Sequence, residues 1–188
     1  VYPTSEDNHF RVTDEIFERF HSTWSTYGVE DHEADLDHAW DFNDAYFDLV
    51  VSNAVFEHLH GTHRHFFSEA LRVLKPGGRL LISTPNIGYL PKRVRFFVGK
   101  SPDWDLRDFY MSGTAFTGHT REFFVQELRL MAEWSGFDVG YCRTHVTYFR
   151  WAWLRQLQKI NRLPIAMLAM IGRNLGDHVY MIACKPTK

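Results

Sequence analysis

The 188-residue chain has two cysteines, Cys142 and Cys184, and each falls in a stretch that reads as a strand. That excludes a disulfide-stapled scaffold or a cysteine-rich metal module, and both thiols are expected in the core of a protein of the reducing cytoplasm. Charge of one sign is also lacking. Lys and Arg number 21 against 23 Asp and Glu, a net charge of -2, so there is no basic footprint for nucleic acid. No run approaches the roughly 20 apolar residues a bilayer span needs, and no signal peptide is visible, so no membrane crossing is expected. Internal repeats and low-complexity tracts are absent. Glycine is scarce at the front, where only Gly28 precedes Gly61. The chain therefore has no G-x-G turn of the kind that lets backbone approach a nucleotide cofactor, which weighs against a nicotinamide enzyme.

What remains is a composition 45% hydrophobic and 16% aromatic, enough for a single domain over 1–188 with a sizeable core. Residues 1–9 are polar. Ile16, Phe17, Phe20 and Trp24 fall at helical spacing, which predicts a helix over about 14–26 with Gly28 as its stop. Residues 29–36 read as a short polar edge strand ending in Ala34-Asp35-Leu36. Leu49, Val50 and Val51 form an apolar run without alternation, the pattern of a central strand buried on both faces. Ser52, Asn53 and Ala54 follow at its carboxyl end, where open α/β sheets bind ligands. Phe66, Phe67, Ala70, Leu71 and Leu74 predict a helix that Pro76-Gly77-Gly78 stops, and Leu80 to Ile82 a second buried strand. Residues 137–145 and 178–185 read as two further strands.

The pairing of "FDLVV…EHL" (Phe47 to Leu59) with "LKPGG…STPN" (Leu74 to Asn86) resembles the class I S-adenosylmethionine-dependent methyltransferases of the small-molecule type. The segment Gly118-His119-Thr120-Arg121-Glu122-Phe123 is similar to an "H-x-R-x-F" element of the same group. The resemblance implies an α/β three-layer sandwich, with a Rossmann-like, mostly parallel sheet and an antiparallel C-terminal strand pair. The family's first strand and its glycine-rich turn have no counterpart, so the chain is expected to start inside the domain. S-adenosylmethionine is the implied cofactor. Asp35 would accept from the adenine amino group, Leu36 would touch the ring through its backbone, and Ser52, Asn53 and Ala54 would line the methionine end. Asp35 as a plain turn residue is the alternative. Asp14 matches the ribose-binding acid less well than it matches a first-turn helix acid.

His58 is the candidate catalytic base, because an acceptor hydroxyl must lose a proton and imidazole suits that near neutral pH; packing and hydrogen bonding of the loop is the alternative. No metal is expected: His58, His60, His63 and His65 run from loop to helix without a ligand motif. Residues 86–120, aromatic and basic after a strand end, read as a lid over the acceptor. His119 and Arg121 would face that acceptor, an anionic one suiting the Arg121 guanidinium; against this stands helix capping by His119 and Thr120 with a solvated Arg121. Residues 148–174 read as an amphipathic helical stretch suited to a peripheral membrane or dimer contact, or to a buried helical hairpin. The implied function is methyl transfer to a small-molecule, quinone-like or lipid- or glycan-linked acceptor. A noncatalytic scaffold that keeps the fold without binding S-adenosylmethionine is the rival.

Overall fold

The computed structural model describes residues 19, 22–30, 32, 34–103, 105–111, 118–146 and 174–187. Among them four strands form one sheet: β1 (Phe47–Asn53), β2 (Leu74–Pro85), β3 (Asp138–His145) and β4 (His178–Cys184). The order is β1-β2-β4-β3. β1 and β2 are parallel, with Val51 opposite Leu81 and Ser52 opposite Ile82. β4 runs antiparallel to both β2 and β3. Helix α1 (Arg64–Val73) returns the chain from β1 to β2, α2 (Leu90–Phe97) and α3 (Leu106–Met111) follow β2, and α4 (Val125–Trp134) leads into β3. This is the expected α/β class with its antiparallel C-terminal pair. None of the described helices is long and apolar enough to cross a membrane.

Helix α1 buries Phe66, Phe67, Ala70 and Val73, a stripe at three- and four-residue spacing. Ten residues make a marginal helix in water, so this packing is what holds it. It ends at Val73, and residues 75–78 swing out of the ladder: the pairing jumps from Phe47 opposite Leu74 to Leu49 opposite Arg79. Gly77, at φ +78°, provides the backbone conformation that the swing needs. Gly28, at φ +66°, likewise closes the helical residues 22–26 as expected.

The core gathers Phe56, Phe66, Phe67 and Phe123 against Leu80, Ile82, Val179 and Met181, with Leu128 and Ala132 of α4 above β3 and β4. Phe56 is fully buried and meets the rings of Phe66, Phe67 and Phe123 at 5.2 to 5.4 Å. Burial of such a side chain contributes about 2 to 3 kcal/mol. Cys142 is buried in β3, where burial pushes its thiol up to about 11, and Cys184 lies in β4; both are free. Arg72 of α1 donates to the carbonyl oxygens of Trp40 and Phe42, and pairs with Glu69 and Asp44. The 40–44 loop that feeds β1 is thereby fastened to α1.

Two expectations are corrected. β1 is not buried on both faces: Leu49 and Val51 are 52% and 54% exposed. Among the described residues its only ladder neighbour is β2, and only the side chains facing the helix layer are covered. The stretch 29–36 forms no strand in its described residues. Nothing described offers it a ladder partner, and an isolated polar strand has no hydrogen-bonding reason to stay extended. Residues 14–18, including Asp14, and most of 148–174 lie outside the described residues.

Candidate functional site

β1 reaches the carboxyl end of the parallel pair at Ser52 and Asn53. The Asn53 side chain accepts from the Ser83 hydroxyl of β2, and the Ala54 amide donates to the Ser83 carbonyl oxygen at 3.0 Å. Ala54 sits at φ +53°, a conformation that costs a residue with a Cβ and turns the chain sharply off the strand. Beside this turn lies a cavity of about 260 Å³, lined by Ala34, Leu36, Trp40, Phe42, Val51 and Ser52 among others. Its walls are apolar except at Ser52, whose Oγ is buried and has no hydrogen-bond partner among the described residues. An apolar slot with one unpaired hydroxyl suits a flat ring with a polar edge. A larger cavity, about 510 Å³, lies at the other end of the sheet against Arg79, Asp138 and Cys184.

Asp35 lies outside the slot wall, although its neighbours Ala34 and Leu36 line it. Its carboxylate accepts from the Asp37 amide at 2.9 Å and pairs with His38 Nδ1 at 2.9 Å. The amide bond, then the His38 bond, hold its pKa below the ordinary carboxylate value. In this arrangement Asp35 does the work of a turn residue.

The turn after Ala54 becomes a single 3₁₀ turn, Phe56–His58, anchored by the Phe56 ring. That anchor drives the Glu57 side chain inward, to 1% exposure. Residue 120 then brings a distant segment alongside: the Thr120 amide donates to the Glu57 carbonyl oxygen at 2.8 Å. As a result His119 stands next to His58, ring centroids 5.0 Å apart and edge to face. His58 Nδ1 donates to the Gly118 carbonyl oxygen at 3.2 Å, and His119 Nδ1 to Glu122 Oε1 at 2.9 Å. His119 Nε2 lies 4.0 Å from Glu57 Oε1, while Glu57 Oε2 has no hydrogen-bond partner among the described residues. Glu122 is also paired with Lys92 of α2. Burial alone would raise the Glu122 pKa, but the His119 and Lys92 bonds outweigh it and hold the carboxyl below its ordinary value.

Of the residues expected at the site, the fold brings His58 and His119 together and sets Ser52, Asn53 and Ala54 at the same strand end. Arg121 goes elsewhere: it pairs with Glu127 at 2.8 Å and lies over the Phe123 ring. Capping by His119 and Thr120 is also corrected, since α4 begins five residues later, where Glu127 accepts from the Phe124 amide. The four loop histidines do not converge. His63 is buried and donates to the Phe56 carbonyl oxygen at 2.8 Å, and His60 lies 3.8 Å from Asp37. Glu122 and Lys92 were not anticipated, and only a side-chain partner for His119 could have signalled the first of them. The expected lid is occupied by α2 and α3, on which Phe96, Phe97, Leu106 and Tyr110 are 72%, 90%, 77% and 78% exposed.

The methyltransferase-domain family matches residues 13–82. A protein of Mycolicibacterium smegmatis named "probable S-adenosylmethionine-dependent methyltransferase" is 41% identical over 96 residues, which are 51% of this chain and 30% of that protein. The chain thus spans under a third of that curated relative. Similar solved structures include an S-adenosylmethionine-dependent methyltransferase from Methanosarcina mazei, with TM-score 0.57 and 17% identity over 94% of this chain and 80% of the other. Another, from Mesorhizobium loti, gives TM-score 0.59 and 17% identity over 92% and 77%. At such identity these two speak for the fold, and the sequence matches show what the matched segments resemble. By its matched segment, residues 13–82, and by its fold, the chain is similar to the class I S-adenosylmethionine-dependent methyltransferases.

Proposed function

We propose that the chain transfers a methyl group from S-adenosylmethionine to a small-molecule, quinone-like or lipid- or glycan-linked acceptor, within a cytoplasmic protein. The observation that carries this is the juxtaposition, at one strand end, of an apolar slot holding an unpaired Ser52 hydroxyl with the His58 and His119 pair. The slot fits the nucleoside part of the cofactor: Leu36 and Ala34 would flank the base, Ser52 would take a polar edge, and Asp35 would swing from its turn to the adenine amino group. Asn53 and Ala54 would line the methionine end. When bound, the cofactor supplies an electrophilic methyl on a sulfonium, so the protein's task is orientation and exclusion of water.

His58 would take the acceptor's proton. The Gly118 carbonyl oxygen holds the N–H at Nδ1, which leaves the lone pair of the neutral ring on Nε2. His119 and Arg121 would face the acceptor, Arg121 after leaving Glu127. The exposed aromatic surface of α2 and α3, with Arg93, Arg95 and Lys100 nearby in sequence, supports an apolar or lipid-linked acceptor. Residues 148–174 are proposed as a membrane or dimer contact. Incubation with methyl-labelled S-adenosylmethionine and a panel of phenolic, polyprenyl-linked and glycan acceptors tests the assignment. Label should pass to an apolar hydroxyl-bearing acceptor and fall at least a hundredfold in His58→Gln. Transfer that survives that substitution removes His58 from the proton step.

A further inference from the structure

We propose that Glu57, His58 and His119 form a binding site for a first-row divalent cation of the manganese-to-zinc series. One ligand atom from each lies within 4.8 Å of the other two. A neutral imidazole carries one N–H and one lone pair, and the hydrogen bond on one nitrogen decides which is which. The Gly118 carbonyl oxygen can only accept, so the hydrogen of His58 is on Nδ1 and the lone pair on Nε2. Glu122 does the same for His119, and its pairing with Lys92 keeps it an acceptor. The other nitrogen of the His119 ring, Nε2, lies 4.0 Å from Glu57 Oε1. A carboxylate or backbone carbonyl behind the ring is the usual support of a metal-ligating histidine, and here both rings have one.

Glu57 supplies the third ligand and the strongest reason for a cation. It is 1% exposed, and Oε2 has no hydrogen-bond partner among the described residues. A buried carboxylate oxygen left without a donor is costly, and natural sites retain one where it has a task. A protonated His119 answers that need poorly, since its distance to Glu57 is long and its Nδ1 is committed to Glu122. A cation between the three would satisfy it. Donor atoms of a tetrahedral site with bonds of about 2.1 Å lie about 3.4 Å apart, so the three side chains would close by roughly 1 Å, within the reach of small torsional changes. Two imidazoles with one carboxylate select manganese to zinc over magnesium or calcium, which prefer oxygen throughout. Three protein ligands leave at least one position for an outside oxygen.

This site deepens the proposed methyl transfer and replaces proton removal by His58: with the Nε2 lone pair held by the cation, the cation would lower the pKa of an acceptor hydroxyl beside the cofactor slot, and the proton would pass to solvent. Cation binding itself needs neither cofactor nor acceptor, so the two stand or fall separately. The test is titration of chelator-stripped protein with Co²⁺, followed by its visible absorption bands, and with Zn²⁺, Mn²⁺ and Mg²⁺ by calorimetry. One equivalent of Co²⁺ or Zn²⁺ should bind, with Mg²⁺ at least a hundredfold weaker. Glu57→Gln, His58→Asn and His119→Asn should each weaken uptake more than tenfold. Glu122→Gln should weaken it tenfold to a hundredfold by releasing the His119 ring. His60→Ala with His65→Ala should leave it unchanged. The His119 ring is partly exposed, so His119→Asn is the variant least prone to disturb folding, and circular dichroism checks each one. Absence of saturable uptake, or uptake unchanged in His119→Asn and Glu57→Gln, overturns the assignment.

Discussion

The Thr120 hydroxyl lies 2.9 Å from the carbonyl oxygen of Glu57, the same oxygen that accepts from the Thr120 amide, and 2.7 Å from that of Leu59. One side chain therefore joins the loop after β1 to a segment some sixty residues later, and it sets His119 against His58. Thr120→Val keeps the volume and removes the hydroxyl. The substitution should lower stability by about 1 to 2 kcal/mol, read as a lower urea midpoint at unchanged slope. It should also loosen the His58 and His119 contact, seen as sharper, more equivalent imidazole proton resonances.

Ser52 presents the opposite case, a buried polar atom whose partner is not supplied by the described residues. Ser52→Ala should leave the melting temperature unchanged or slightly raised, because an unpaired hydroxyl is removed. Affinity for S-adenosylhomocysteine should fall about tenfold, the weight of one hydrogen bond. A large loss of stability with unchanged affinity would mean that the hydroxyl supports the fold and not a ligand.

Acid sensitivity should come in two windows. Burial holds the His63 pKa below its ordinary 6.5, the carbonyl of Phe56 opposing only in part. The unfolded chain then takes up a proton that the folded one resists, so stability is full above about pH 6.5 and declines as the pH falls below it. For Glu122, whose folded pKa lies below the ordinary 4.5, the contribution is present above 4.5 and is lost as the pH falls through the folded value. Urea midpoints measured from pH 8 to 3 should show both declines. His63→Phe should flatten the upper one and Glu122→Gln the lower.

Phe96 and Phe97 of α2 are 72% and 90% exposed and hold little of the fold together. Changing both to Ser should shift stability by less than about 1 kcal/mol. Turnover of an apolar or lipid-linked acceptor should fall at least tenfold, with turnover of a small polar acceptor unchanged. Equal effects on both acceptors would separate this surface from acceptor recognition.

The parts of the fold that were legible in the sequence are those where local pattern and packing agree. The Phe66-to-Val73 stripe and the apolar runs of β2 and β4 follow from spacing, whereas the helix stop expected at Pro76-Gly77-Gly78 falls at Val73 and those three residues lie within β2. The misjudged elements depend on neighbours. Leu49, Val50 and Val51 carry the composition of a strand covered on both sides, yet coverage is a property of what lies beside the strand. Residues 29–36 read as a polar edge strand, but their described residues join no ladder among the described residues. At the site, Ser52 to Ala54 and His58 could be placed from their position after an apolar run. The pairing of His58 with His119, and the inward turn of Glu57, could not, because they are made by Thr120 and by the Phe56 anchor across long stretches of chain.

Binding at the carboxyl end of β1 is the central claim, and calorimetry with S-adenosylhomocysteine tests it most directly. It should be run on this chain and on a form carrying whatever residues its reading frame supplies upstream. The account predicts saturable one-to-one binding by the longer form at least, weakened about tenfold by Ser52→Ala. Absence of binding by both forms would contradict it and leave the fold as a scaffold without the cofactor.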